Sequence, residues 1–202
     1  MSDRINVLAL LAIVGWAFFA ASAVFLPIFS VFSFAGDYIS ELAIGRFGYV
    51  QTVAYFAAGL GALALGIRET TQGSWGSRAG FVMVGLFGIN VLLAGIFPTD
   101  AIDAGGRVIS PTRARSIHIV VSALAFPLII AAMFVLSRTF KQNIGWRSFW
   151  PVSLVLAFAA LAAFFLMGDG QWVGLYQRAF KGTIVLWLIL AAVRLRSIAR
   201  KA

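Results

Sequence analysis

The chain has 202 residues, 61% of them hydrophobic and 11% charged, with a formal net charge of +9 and a mean hydropathy of +0.96. That balance is too apolar and charge-poor for an ordinary soluble domain of this length. The absence of cysteine excludes disulfides and thiolate chemistry.

Six apolar stretches, residues 6–32, 49–67, 79–97, 116–136, 150–167 and 174–193, each have roughly the 17 to 25 residues a spanning helix requires. Lipid cannot satisfy free backbone groups, so all six are predicted to be helices of one all-α membrane domain covering residues 1–202. The first stretch contains Ala21-Ser22-Ala23, a small-residue pattern like a secretory cleavage site. Apolar sequence nevertheless runs on to Phe29, past the length of a signal core, and predicts a retained helix that Pro27 kinks.

Between the first and second helices, Gly36-Asp37-Tyr38-Ile39-Ser40-Glu41-Leu42 sets two carboxylates four residues apart. On a helix they would share a face and repel unless a cation, a metal or a shared proton relieved them. The plainer reading is that Asp37 caps a short interfacial helix while Glu41 faces water. Gly59, Gly61 and Gly66 in the second helix, Gly80, Gly85, Gly88 and Gly95 in the third, and the small residues from Ala157 to Ala163 in the fifth suit close packing, because lipid supplies no hydrophobic drive between helices. Asn90 is a candidate interhelical hydrogen-bond former. Pro98 stops the third helix as Thr99 and Asp100 leave the apolar zone, and Pro127 is placed to kink the fourth. His118 opens the fourth helix with Ser122 one turn below. In the sixth, Arg178 and Lys181 lie about one and two turns inside the edge of the span. An intramembrane cation is costly and by default faces the interior with a partner. Asp37, Glu41 and Asp100 are the candidates for Arg178 at that depth; Lys181 stays undecided between the interior and snorkelling.

Charge sidedness sets the topology. The N-terminus, the 68–78 and 138–149 loops and the tail carry ten Lys/Arg against Asp3 and Glu69, whereas the opposite side carries six basic residues against five acids. The positive-inside rule therefore puts both termini in the cytoplasm, as an even helix count demands. The tail, with Arg194, Arg196, Arg200 and Lys201, belongs against anionic headgroups, so the basicity reads as orientation and argues against a nucleic-acid partner. Trp75, Trp146 and Trp150 at one set of ends, and Tyr38, Tyr49, Trp172 and Tyr176 at the other, are placed as interfacial anchors. A weak internal echo, Gly48-Tyr49-Val50-Gln51 against Gly174-Leu175-Tyr176-Gln177, is better explained by two helices of equal span than by a duplication.

Asp37, Glu41, Asp100, His118 and Arg178 thus form a candidate acid/base or carboxylate-rich site at one mouth of the bundle. A histidine-rich zinc centre is impossible with one histidine, and no Walker loop, dinucleotide glycine pattern, nucleophile elbow or HExxH motif occurs. No cofactor follows, and a metal is neither required nor excluded. The phrases Tyr38-Ile39-Ser40-Glu41-Leu42 and Gly95-Ile96-Phe97-Pro98-Thr99-Asp100, with His118 and Gln177-Arg178, resemble the domain-of-unknown-function 998 family of six-helix membrane proteins across nearly the whole chain. The resemblance implies the fold and the polar positions but no activity. Two functions from different classes remain: a protein of the cell membrane, in the placement of a bacterial inner-membrane protein, that binds or modifies a lipid or isoprenoid-like amphipathic molecule at the outer-leaflet mouth, or a non-catalytic accessory or scaffold subunit of a membrane complex.

Overall fold

The structure, a computed structural model, describes residues 2–70, 75–100, 111–168 and 170–200. Within them the chain is helical: α1 (Ser2–Phe25), α2 (Gly48–Thr70), α3 (Trp75–Ile96), α4 (Arg113–Gln142), α5 (Trp150–Leu166) and α6 (Val173–Ala199), with 3-10 turns at Leu26–Phe29 and Ile39–Ala43. Five segments are long and apolar enough to cross a membrane, and α5, at 17 residues, is a shorter apolar helix. It spans about 25 Å, just under the ~30 Å hydrocarbon thickness. The acids Asp103 and Asp169 and the loop of residues 101–110, counted in the charge split, lie outside the described residues.

The helices pack in chain order, each on the next, and α6 closes the ring against α1. Small residues set the spacing at the tightest crossings. A Cβ on Gly15 of α1 would stand 2.3 Å from the Ala57 carbonyl oxygen, and one on Gly66 of α2 would stand 2.7 Å from both the nitrogen and Cα of Gly85 on α3. Backbone cannot yield as a side chain would, so these positions admit no larger residue without separating the helices. On the far side, Ala157 and Ala160 are completely buried, and Ser153 of α5 joins its neighbours by bonding the Ser137 hydroxyl at 2.7 Å and accepting the Trp187 indole N–H at 2.8 Å.

Two expectations change. Helix α1 ends at Phe25 and Pro27 falls in the following 3-10 turn, where proline is tolerated, so it terminates the helix instead of kinking it. Pro127 lies inside α4, as its place in the fourth stretch implied. Trp146 is no interfacial anchor: it is 6% exposed and stacks on Phe140 with ring centroids 4.4 Å apart, whereas Trp75 is 85% exposed.

Gly66 and Gly85 face the same crossing but differ in room, since a Cβ on Gly85 meets nothing nearer than 3.8 Å. Gly66→Ala should lower stability in mild detergent by about 1–3 kcal/mol, the usual range for overpacking. Gly85→Ala should be neutral or slightly stabilising, because alanine is the better helix former. Thermal unfolding of the two variants checks the contrast; equal loss from both would refute the crossing geometry.

Candidate functional site

At one end of the bundle the N-termini of α2, α4 and α6 meet the C-termini of α1 and α3, and the chain between α1 and α2 folds across the N-terminus of α6. Its first turn is local: Asp37 Oδ2 accepts the Ser33 N–H at 2.5 Å, and Ser33 Oγ accepts from Ala35 N and Gly36 N. The 3-10 turn follows, where Glu41 reaches back to accept the Tyr38 N–H at 2.7 Å. Asp37 therefore precedes this helix, and the shared helical face expected for the two carboxylates does not form.

Helix α6 receives that loop through three of its residues. The Leu175 N–H donates to the Ala35 carbonyl at 3.0 Å, and Gln177 Oε1 accepts the Ile39 N–H at 2.8 Å. Gly174 permits the approach, since a Cβ there would lie 2.3 Å from the Asp37 carbonyl oxygen. Arg178 is 9% exposed and bonds main chain: Nε donates to Ala23 O at 3.3 Å, and Nη1 donates to Asp37 O at 2.8 Å and Gly174 O at 3.2 Å, while Nη2 is buried without a partner. Its guanidinium lies 4.5 Å from the Phe34 ring centroid. Among the described residues no carboxylate bonds Arg178 directly, although Asp37 and Glu41 both act on its charge; Arg178 ties the end of α1, the loop and α6 together through their carbonyls. Glu41, 4% exposed, sits within electrostatic reach of this group. Burial pushes its carboxyl up from the ordinary 4.5, the Tyr38 N–H pulls it down, Asp37 adds to the rise, and Arg115 and Arg178 oppose it.

Asp100 and His118 do a different job. Both Asp100 oxygens go to Thr112, Oδ2 accepting its N–H at 2.7 Å and Oδ1 its hydroxyl at 2.8 Å, and Thr112 caps α4 by accepting the Arg115 N–H. His118 places Nδ1 2.8 Å from the Phe97 carbonyl oxygen, a contact that calls for the proton on Nδ1. The two side chains fasten the end of α3 to the start of α4 and do not bond to each other. Among the described residues no three of His, Asp and Glu come together as a ligand set for a metal.

Beneath this end lies a narrow, partly open cleft walled by α1, α2, α3, α4 and α6. Trp16, Phe19, Tyr55, Phe87 and Phe126 form most of its wall, Asn90 and Ser122 add polar edges, and Lys181 projects into it. The aromatic wall is continuous: the Trp16 and Phe87 rings stack 5.8 Å apart, and Phe19 lies 5.3 Å from Tyr55. The Lys181 ammonium stands 5.8 Å from the Tyr55 ring, 5.9 Å from Phe19 and 6.0 Å from Phe126, at the outer limit of cation–π attraction. Those faces soften the charge but offer no acceptor to its three N–H donors. Trp16 Nε1 and the Tyr55 hydroxyl are also buried without a hydrogen-bond partner. Asn90 turns its amide to the Leu86 carbonyl of its own helix, 2.9 Å away, and does not bond between helices.

Sequence reasoning placed Lys181 at the right depth without assigning it a role, and it passed over Trp16 and Tyr55. The available signal was spacing: Trp16 with Phe19, and Tyr55 one turn below the buried Gln51, repeat at helical intervals, a pattern that ordinary core residues share.

The family described as "Protein of unknown function (DUF998)" matches residues 10–194, and the chain belongs to it. No curated protein and no solved structure matches the chain.

Substitutions at two positions test the mouth. Arg178→Met leaves the carbonyls of Ala23, Asp37 and Gly174 without their donor and should cost on the order of 3 kcal/mol in unfolding, with Arg178→Lys recovering part of it. A variant as stable as the parent would contradict the tie. Glu41, its folded value raised above 4.5, contributes stability that is full below that value and is lost as pH rises through the folded value. Glu41→Gln should flatten that part of the stability–pH curve; an unchanged slope would show that Glu41 ionises as if exposed.

Proposed function

We propose that the protein binds an amphipathic molecule, lipid or isoprenoid-like, whose anionic, oxygen-rich head meets Lys181 and whose apolar tail lies along the aromatic wall of the cleft. One observation carries this reading: Lys181, Tyr55 and Trp16 bring hydrogen-bond donors to an intramembrane cleft and have no acceptor of their own there. A cation inside a bilayer costs about 2.5–3.5 kcal/mol on insertion scales, so an unpaired one is retained where something completes it. A carboxylate or phosphate head supplies both the opposite charge and several acceptor oxygens. With both termini in the cytoplasm, as the charge sidedness supports, the cleft lies in the outer half of the membrane.

The contacts of Asp37, Glu41, Asp100, His118 and Arg178 support a scaffold role for those residues, because each is engaged in holding a turn or a helix end. They also favour the accessory-subunit alternative to this extent: a partner helix bearing a carboxylate would satisfy Lys181 as a ligand head does.

A fluorescent long-chain fatty acid titrated into the detergent-purified protein separates the two. Saturable binding should weaken at least about thirtyfold in Lys181→Met, the loss expected when one side of a desolvated charge pair is truncated, and should be largely kept in Lys181→Arg. Tyr55→Phe should weaken it less, and all three variants should unfold no earlier than the parent. Equal binding by the parent and Lys181→Met would overturn the proposal.

A further inference from the structure

We infer that the opposite end of the bundle carries a second lipid site, a groove between α1 and α6 that seats the headgroup of an anionic glycerophospholipid. The groove is open to the surface and is lined by Ile13 of α1 and by Val193, Arg196, Ser197 and Arg200 at the end of α6. The four α6 positions fall at intervals of three and four and so present one face. Two guanidinium groups share that face with a hydroxyl, Ile13 and Val193 supply an apolar floor, and among the described residues no acidic side chain lines it.

The neighbouring arginine shows what is unusual here. Arg194 is committed, its Nε donating 2.7 Å to the Gly145 carbonyl in the loop between α4 and α5 and its Nη2 bonding the same oxygen. Arg196 is not: its Nε is buried and has no hydrogen-bond partner. Arg200 lies one turn further along the helix and is exposed. A buried donor beside a second cation, above an apolar floor, is the complement of a phosphodiester whose acyl chains descend into the bilayer. Depth agrees, because the 27 residues of α6 extend about 40 Å, which carries its last turns to the phosphate level of a bilayer. The charge sidedness places this end in the cytoplasmic leaflet, where anionic lipids give the surface its negative potential. A zwitterionic headgroup brings no net charge to the pair, so the groove discriminates by charge.

The site is independent of the aromatic cleft, and its test does not pass through Lys181. Native mass spectrometry of the detergent-purified chain, with equimolar phosphatidylglycerol and phosphatidylcholine added, should show a preferred retained phosphatidylglycerol. Arg196→Gln/Arg200→Gln should lower that preference by on the order of tenfold, from the attraction of two basic side chains to anionic lipid. Arg196→Lys/Arg200→Lys should keep most of it. Arg138→Gln/Arg147→Gln, which removes two charges elsewhere at this end, and Lys181→Met should both leave it unchanged. Monodisperse elution and an unaltered unfolding temperature certify that the double variant is folded. Equal retention of the two lipids by the parent, an unchanged preference in the Arg196/Arg200 variant, an equal loss in the Arg138/Arg147 control, or displacement by millimolar inorganic phosphate as readily as by lipid would each overturn the inference.

Discussion

Hydrocarbon offers no hydrogen bonds, so every polar group carried below the membrane surface must find its partner inside the protein, and this requirement organises the α6 N-terminal end of the bundle. Arg178 meets it in part, with Nε and Nη1 bonded to carbonyls at the end of α1, in the following loop and in its own helix, while Nη2 stays buried without a partner. Those bonds, with the Gln177 and Leu175 contacts, press the loop between α1 and α2 onto α6 and hold Glu41 in a buried position. His118 and Asp100 meet it in the same way for the junction of α3 and α4. Each of these side chains bonds a turn or a helix end. Lys181, about one turn deeper on the same helix, makes no such main-chain bonds and faces aromatic rings instead.

The cleft around Lys181 follows from how unevenly the ring packs. Gly15 and Gly66 let α1, α2 and α3 approach until backbone meets backbone. The same three helices place Trp16, Phe19, Tyr55 and Phe87 at neighbouring levels, where such large rings cannot interdigitate to close the interior completely. On the other side, Ser137, Ser153 and Trp187 fix α4, α5 and α6 by hydrogen bonds, and Phe126 forms the facing wall against Phe180 with ring centroids 5.0 Å apart. Close contact in one layer and bulky aromatics in the next leave a narrow apolar space with a few polar groups at its edge, the usual character of a small-molecule site.

Much of this was legible in the sequence, and the exceptions share a cause. Span length and hydropathy located the helices, with errors of a few residues where a 3-10 turn continued the apolar run, as at Leu26–Phe29. Depth was also readable: Arg178 and Lys181 are both inside the span, and Asp37, Glu41, Asp100 and His118 all gather at one end. Rotation about the helix axis and the choice of partner were not. Arg178 bonds carbonyls, which every residue possesses and no motif announces. Trp146 packs in the core while Trp75 is exposed, although both occupy the same end of the bundle by residue count. Tyr55 and Trp16 carry the pattern of ordinary core aromatics, and only their missing hydrogen-bond partners distinguish them.

The proposed function requires that a small amphipathic molecule, rather than another polypeptide, completes the cleft. The most direct measurement places a photo-activatable benzophenone side chain at Phe126, irradiates intact membranes and weighs the product. Binding of a lipid-like ligand predicts an adduct heavier than the protein by a few hundred daltons, lost on competition with excess fatty acid and absent when Lys181→Met is added. An adduct of protein size that survives both treatments would contradict the claim and assign the cleft to a partner subunit.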